Sequence, residues 1–121
     1  MISFVSPAKE SVVWWYKATL ERWIDGDSAV VTLDKGFNEF RHKARVRLAM
    51  VNTPERFTKA GKAATLFVND LCPAGSEVLL YSHKDSTGKY GRIEAEVCFN
   101  GININRALLQ ANHAVIPSYA K

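Results

Sequence analysis

At 121 residues the chain is long enough for one domain with a true hydrophobic core, so neither a disulfide framework nor a structural metal is needed to hold it. A hydrophobic fraction of 47%, with three Trp and six Phe, excludes a disordered chain, and no apolar stretch approaches the roughly 18 residues of a membrane span. Sixteen Lys and Arg against twelve Asp and Glu leave a formal charge of +4, which leans toward polyanionic partners without singling out nucleic acid.

A single domain over 1–121 is expected, with 1–11 a loosely ordered N-terminal segment. That segment has no basic region followed by a long apolar run, so a cytoplasmic protein is expected, although a secreted mature form fits the same sequence. Cys72 and Cys98 match no metal spacing and no CxxC pattern, which makes reduced thiols the default.

Residues 12 to 24, VVWWYKATLERWI, alternate, with Val12, Trp14, Tyr16, Ala18 and Leu20 on one face and Lys17, Thr19 and Glu21 on the other. This predicts a strand. Asp25, Gly26 and Asp27 supply a turn into a second strand, SAVVTL, which ends near DKG. Residues 41 to 51, RHKARVRLAMV, carry the clearest two-residue period: Ala44, Val46, Leu48 and Met50 inward, Arg41, Lys43, Arg45 and Arg47 outward. With a rise of about 3.3 Å per residue, side chains two apart on a strand lie roughly 6.6 Å from each other, a spacing on which such a ladder could follow a phosphate backbone. A charged, solvated face that discourages edge pairing accounts for the same pattern.

From Pro54 to Leu71 the period turns helical, with Phe57, Ala60, Ala64, Phe67, Val68 and Leu71 on one stripe and CPAG ending it. Thr53 is the expected N-cap, Pro54 the first helical residue and Glu55 an acid favoured by the helix dipole. Two more strands follow, SEVLLYS and RIEAEVCF, the second with Ile93, Ala95, Val97 and Phe99 inward. Asn100 and Gly101 make a tight turn into a short capped helix, NINRALLQAN, with Ile104, Ala107, Leu108 and Ala111 inward. Three strands, a helix, two strands and a helix predict a mainly-β α+β domain. That is the order of a five-stranded OB-fold barrel with a helix between strands 3 and 4 and a C-terminal helix. Fold does not give function, so the site rests on residues.

The junction VRLAMVNTPE sets Arg47, Asn52 and Glu55 at the mouth of one strand-to-helix connection, an unusual mixture for simple punctuation. IDGD at 24–27, VRLAMVNTPE at 46–55 and GKYGR at 88–92 occur in the order and rough spacing of the staphylococcal nuclease (thermonuclease) family. The chain resembles that family over about residues 16 to 119. Each segment by itself has an ordinary explanation as a turn, a cap or a hairpin; their joint order is what carries the resemblance.

The resemblance implies an OB barrel bearing a Ca2+-dependent phosphodiesterase that cuts DNA and RNA. Asp27 resembles the carboxylate that binds calcium directly, Asp25 a nearby carboxylate, and Thr53 the residue giving a backbone carbonyl to the metal. Glu55 resembles the general base, Arg47 and Arg92 the two arginines that grip the scissile phosphate, and Lys89 and Tyr90 groups holding the neighbouring phosphate. The chemistry agrees: an arginine fork donates two parallel hydrogen bonds to phosphate oxygens, and a hard cation on oxygen ligands polarises and orients them.

Three positions depart from the family pattern. Asn52 stands where a second calcium-binding aspartate is common, so its amide oxygen is the expected ligand and one negative charge is missing. Gly88 replaces the acid common before KYGR. Of the paired C-terminal tyrosines that stack on a base only Tyr119 is present, with Pro117 at the other position. The expected function is hydrolysis of single-stranded or locally opened DNA, and RNA, with little sequence specificity, by a monomer with no protein partner. The alternative is a catalytically weak OB-fold module that binds single-stranded nucleic acid through Arg41, Lys43, Arg45, Arg47, Lys89 and Arg92. His42, His83 and His113 have no metal-like or acid-base spacing and are not expected to act.

Overall fold

The structure is a computed structural model that describes residues 12–83 and 93–117; the expectation for 1–11 falls outside them. It is a closed, mainly-β barrel with two helices, as the order of elements predicts. β1 (Val12–Asp25), β2 (Ser28–Gly36) and β3 (Glu39–Leu48) form an antiparallel meander. The helix α1 (Lys59–Leu71) follows, then β4 (Glu77–His83), β5 (Ile93–Phe99), a two-residue β6 (Ile102–Asn103) and α2 (Ile104–Gln110). Strands run in the order β3-β2-β1-β4-β5-β6, and a parallel pairing of β3 with β5, Val46 opposite Ile93 and Leu48 opposite Ala95, closes the barrel. Closure removes the free edges that an open sheet of this size would carry.

Inward alternation fills the barrel. Leu20, Val31, Val46, Leu48, Val78, Leu80, Ala95 and Val97 are buried, joined by Val68 of α1 and Ile104 and Leu108 of α2. The side chain of Trp23 is buried as well and its indole N–H donates to the Cys72 carbonyl at 2.9 Å, tying β1 to the end of α1. Asn100 and Gly101 take positive φ of 56° and 80°, the left-handed pair that a two-residue hairpin requires. Asn105 is a buried polar residue that periodicity did not single out. It accepts from Val97 N at 3.0 Å and donates to the Ala49 carbonyl at 2.8 Å, bracing the exit of β3 against β5. Burial without those partners would cost about 1–3 kcal/mol per orphaned group.

Three expectations are corrected. The helix begins at Lys59 rather than Pro54, because Thr58, not Thr53, is its N-cap and accepts from Gly61 N at 3.0 Å. Residues 54–58 form a loop in which the Glu55 carbonyl accepts from Thr58 N at 3.0 Å and Thr58 Oγ1 at 2.6 Å, which leaves Phe57 70% exposed. Met50 does not face inward: it turns at φ 65° just past the end of β3 and is half exposed.

The basic ladder is interrupted too. Lys43 has a φ of 56° at a register shift, so Ala44 pairs with Val31 but Arg41 pairs with Leu33. One extra residue moves Arg41 to the opposite alternation from Arg45 and Arg47. Glu21 pins the bulge, its Oε2 accepting from Thr32 Oγ1 at 2.8 Å and Lys43 N at 3.1 Å. Those bonds, the hydroxyl first, hold the Glu21 carboxyl below the usual carboxylate range.

Candidate functional site

The β1–β2 turn places a carboxylate where the chain after β3 returns. Gly26 and Asp27 form the tip between the paired residues Asp25 and Ser28. A Cβ on Gly26 would lie 2.9 Å from the Ala64 Cβ and 3.0 Å from the Thr53 Cγ2, so glycine lets the tip rest on α1 and on the post-β3 segment together. Asp27 is buried. Its Oδ2 accepts from Thr53 N at 2.9 Å and its Oδ1 from Ser28 Oγ at 3.3 Å, while its own N–H donates to Asp25 Oδ1 at 3.1 Å. Burial first, then the hydrogen bond and like charge of Asp27, push the Asp25 carboxyl up.

Arg47, the penultimate residue of β3, folds back over this junction. Nη1 donates to the carbonyls of Leu48 and Val51, each at 2.8 Å, and lies 3.6 Å from Asp27 Oδ2. Nη2 donates to the Asn52 amide oxygen at 3.0 Å. One guanidinium thus spans a carboxylate, two backbone carbonyls and a side-chain amide, the work of a planar multi-donor group that an ammonium cannot copy. Asn52 also pairs with Val115 through two backbone bonds, N to O at 2.8 and 2.9 Å, which fastens the segment to the stretch after α2.

The Glu55 side chain is exposed, and its position depends on the loop just described. Gly61, in the first turn of α1, has the Glu55–Arg56 backbone packed so closely against it that any Cβ would overlap the Glu55 carbonyl. Gly61 was not anticipated, although a glycine inside a helical stripe is a signal for such a close approach. A hollow of about 230 Å³ opens beside the junction, between residues 52–54 and 112–115.

The expected residues Asp25, Asp27, Arg47, Asn52 and Thr53 therefore meet at one junction, with Glu55 on the adjoining loop. Arg92, Lys89, Tyr90 and Tyr119 lie outside the described residues. Among the described residues there is no group of three or more His, Cys, Asp or Glu gathered as metal ligands. His42 and His83 sit elsewhere, His42 Nδ1 3.3 Å from Thr32 Oγ1 and His83 Nε2 2.9 Å from Glu96 Oε2, whereas His113 lines the hollow beside Asn52 and Thr53, its ring 4.7 Å from that of Phe67. Among the described residues, no helix is long and apolar enough to cross a membrane.

Comparison with known proteins adds two findings. The family described as staphylococcal nuclease homologue matches residues 45–121. An uncharacterized protein of Bacillus anthracis is 34% identical over 98 residues, an alignment covering 76% of this chain and 43% of that one. The chain therefore spans less than half the length of that relative.

Proposed function

Because the chain belongs to the staphylococcal nuclease homologue family, we propose that it hydrolyses phosphodiester bonds in single-stranded or locally opened DNA, and in RNA, with calcium as cofactor. One observation carries the reading. The Thr53 N–H to Asp27 Oδ2 bond at 2.9 Å joins two segments 26 residues apart, and Arg47 lies over the same carboxylate.

In this reading Asp27, the Asn52 amide oxygen and the Thr53 carbonyl would hold calcium, with Asp25 beside them. The donor chemistry fits a hard cation: all are oxygens, and a second carboxylate, Asp25, stands at the same turn, its Oδ1 accepting from Asp27 N at 3.1 Å. The fit is that of a weak site, since Asn52 brings no charge and its oxygen already accepts from Arg47. Calcium, when bound, supplies Lewis-acid polarisation of the phosphate oxygens and orientation of the substrate.

The chain's own groups do the rest. Glu55 is the general base, taking a proton from the attacking water on the exposed side of the loop, a role worth about 10²–10⁴ in rate. Arg47 and Arg92 stabilise charge on the non-bridging oxygens, Arg47 held in place by its carbonyl contacts so that no ordering is needed at the moment of reaction. Lys89 and Tyr90 hold the neighbouring phosphate, and Tyr119 contacts a base.

The uncharged Asn52 favours a second reading, a module that binds single-stranded nucleic acid without efficient cleavage. Incubation with labelled single-stranded DNA, with calcium and with a chelator, separates the two. Cleavage in calcium that stops in chelator is the expected result; binding without cleavage in both conditions rejects the enzyme and supports the module.

A further inference from the structure

The same loop that carries Glu55 also displays an apolar shelf that none of the roles above uses. Phe57 is 70% exposed and Leu66 65% exposed, and unlike the more exposed Phe37 the two line one hollow together. With Ile24, Arg56, Lys62 and Thr65 they line an open hollow of about 510 Å³. Its walls come from the elements that build the site: Ile24 immediately precedes Asp25, Phe57 follows Glu55 by two residues, and Lys62, Thr65 and Leu66 lie on α1. The Arg56 guanidinium carbon stands 4.5 Å from the centre of the Phe57 ring, so a cation covers part of the aromatic surface while most of the ring still faces solvent.

The geometry points to this shelf as the stacking platform for an unpaired nucleobase of the strand being cut. The inference rests on the nuclease reading and extends it. A flat ring with one cation over it and a second lining the same hollow suits a flat, apolar face attached to a charged backbone: the base lies on the uncovered part of Phe57 against Ile24 and Leu66, and Arg56 and Lys62 meet its phosphates. Charge complementarity argues for this occupant over an apolar protein segment, since the two charged residues that line the hollow, Arg56 and Lys62, are both positive and the chain as a whole carries +4. Stacking uses the π-face common to all bases, so the platform reads no sequence. In a duplex that face is covered by neighbouring pairs, so the shelf selects single-stranded or opened substrate. It also supplies an aromatic contact to a protein whose C-terminal tyrosine pair is reduced to Tyr119, with Pro117 at the other position.

The test is fluorescence anisotropy of the full chain with a labelled twelve-nucleotide single strand in chelator, repeated with a strand whose bases are replaced by abasic residues and with a duplex. Phe57→Ala should weaken binding to the base-bearing strand about 5- to 150-fold, which is the range of one stacked base. It should leave the abasic strand and the duplex unchanged, and Phe57→Trp should restore affinity. Because Phe57 is exposed, circular dichroism of both variants should match the wild type. Equal affinity of Phe57→Ala and wild type for the base-bearing strand overturns the platform, and so does an equal loss on the abasic strand. If the wild type still cleaves in calcium in either case, the nuclease reading stands and only the platform falls. Should the wild type neither bind nor cleave, both fall together.

Discussion

Arg47 donates from Nη2 to the Asn52 amide oxygen at 3.0 Å, and its other terminal nitrogen is 3.6 Å from Asp27 Oδ2, so a single side chain bridges two of the three groups assigned to the metal. An amide at position 52 lets Arg47 neutralise Asp27 alone. Asn52→Asp should then tighten calcium binding in the free protein, because it restores a charged oxygen ligand. Isothermal titration measures this directly. The same affinity in both proteins, together with full wild-type cleavage in chelator, would remove calcium and the assignment of Asp27 from the site.

Arg47→Lys retains the charge and loses the fork. Three hydrogen bonds, to Leu48 O, Val51 O and Asn52 Oδ1, cannot all be made by one ammonium in the same geometry. Urea unfolding should show a loss of about 1.5–3 kcal/mol, the range for hydrogen bonds to charged groups, and kcat should fall further than binding does. A variant with wild-type stability and turnover would leave Arg47 without either role.

Glu55→Gln should lower turnover by about 10²–10⁴ while leaving the melting temperature and nucleic-acid affinity close to wild type. The fold uses the backbone carbonyl of Glu55, which accepts from Thr58, and leaves the carboxylate exposed. Single-turnover cleavage with saturating enzyme is the measurement, and undiminished activity would dismiss Glu55 as the base.

Gly61→Ala is expected to run against helix propensity. In an open helix the change gains about 0.5–1 kcal/mol. Here the added Cβ overlaps the Glu55 carbonyl, so the loop must shift and both melting temperature and kcat should drop. A stabilised and fully active Gly61→Ala protein would show that the loop moves aside at no cost.

Acid sensitivity should trace in part to Glu96. Its hydrogen bond with His83, joined by one from Asn103, holds the carboxyl below its ordinary value of 4.5 despite burial. Between 4.5 and that lowered value the unfolded chain binds more protons than the folded one, so stability rises with pH. This contribution is complete above about pH 4.5 and is lost as the pH falls through the folded value. Glu96→Gln should therefore flatten the acid limb of a stability-against-pH curve measured by urea unfolding, and an unaltered limb would contradict the pairing.

Much of the architecture was legible in the sequence because local chemistry and burial agree there. The alternation around Ala18 and Leu20, Val46 and Leu48, and Ala95 and Val97 is the alternation of the barrel interior, and Asn100-Gly101 has the backbone freedom its hairpin demands. Asp27, Arg47, Asn52 and Glu55 were also readable as candidates, since their residue types and order carry the family resemblance. What only the tertiary structure decided are relations between distant segments. Thr53 looked like a helix cap, but its N–H ties it to Asp27, 26 residues away, and the cap is Thr58, whose hydroxyl accepts from Gly61 N. The ladder from Arg41 to Arg47 looked continuous, but Glu21 on β1 holds a bulge at Lys43 that a two-residue period cannot register. Gly61 and Asn105 gave no periodic signal, because one is defined by the backbone it lets approach and the other by three partners, Ala49 just past β3 and Ala95 and Val97 on β5. Periodicity records which face of an element is buried; which groups meet across elements depends on closure of the barrel, and that is where the candidate site is assembled.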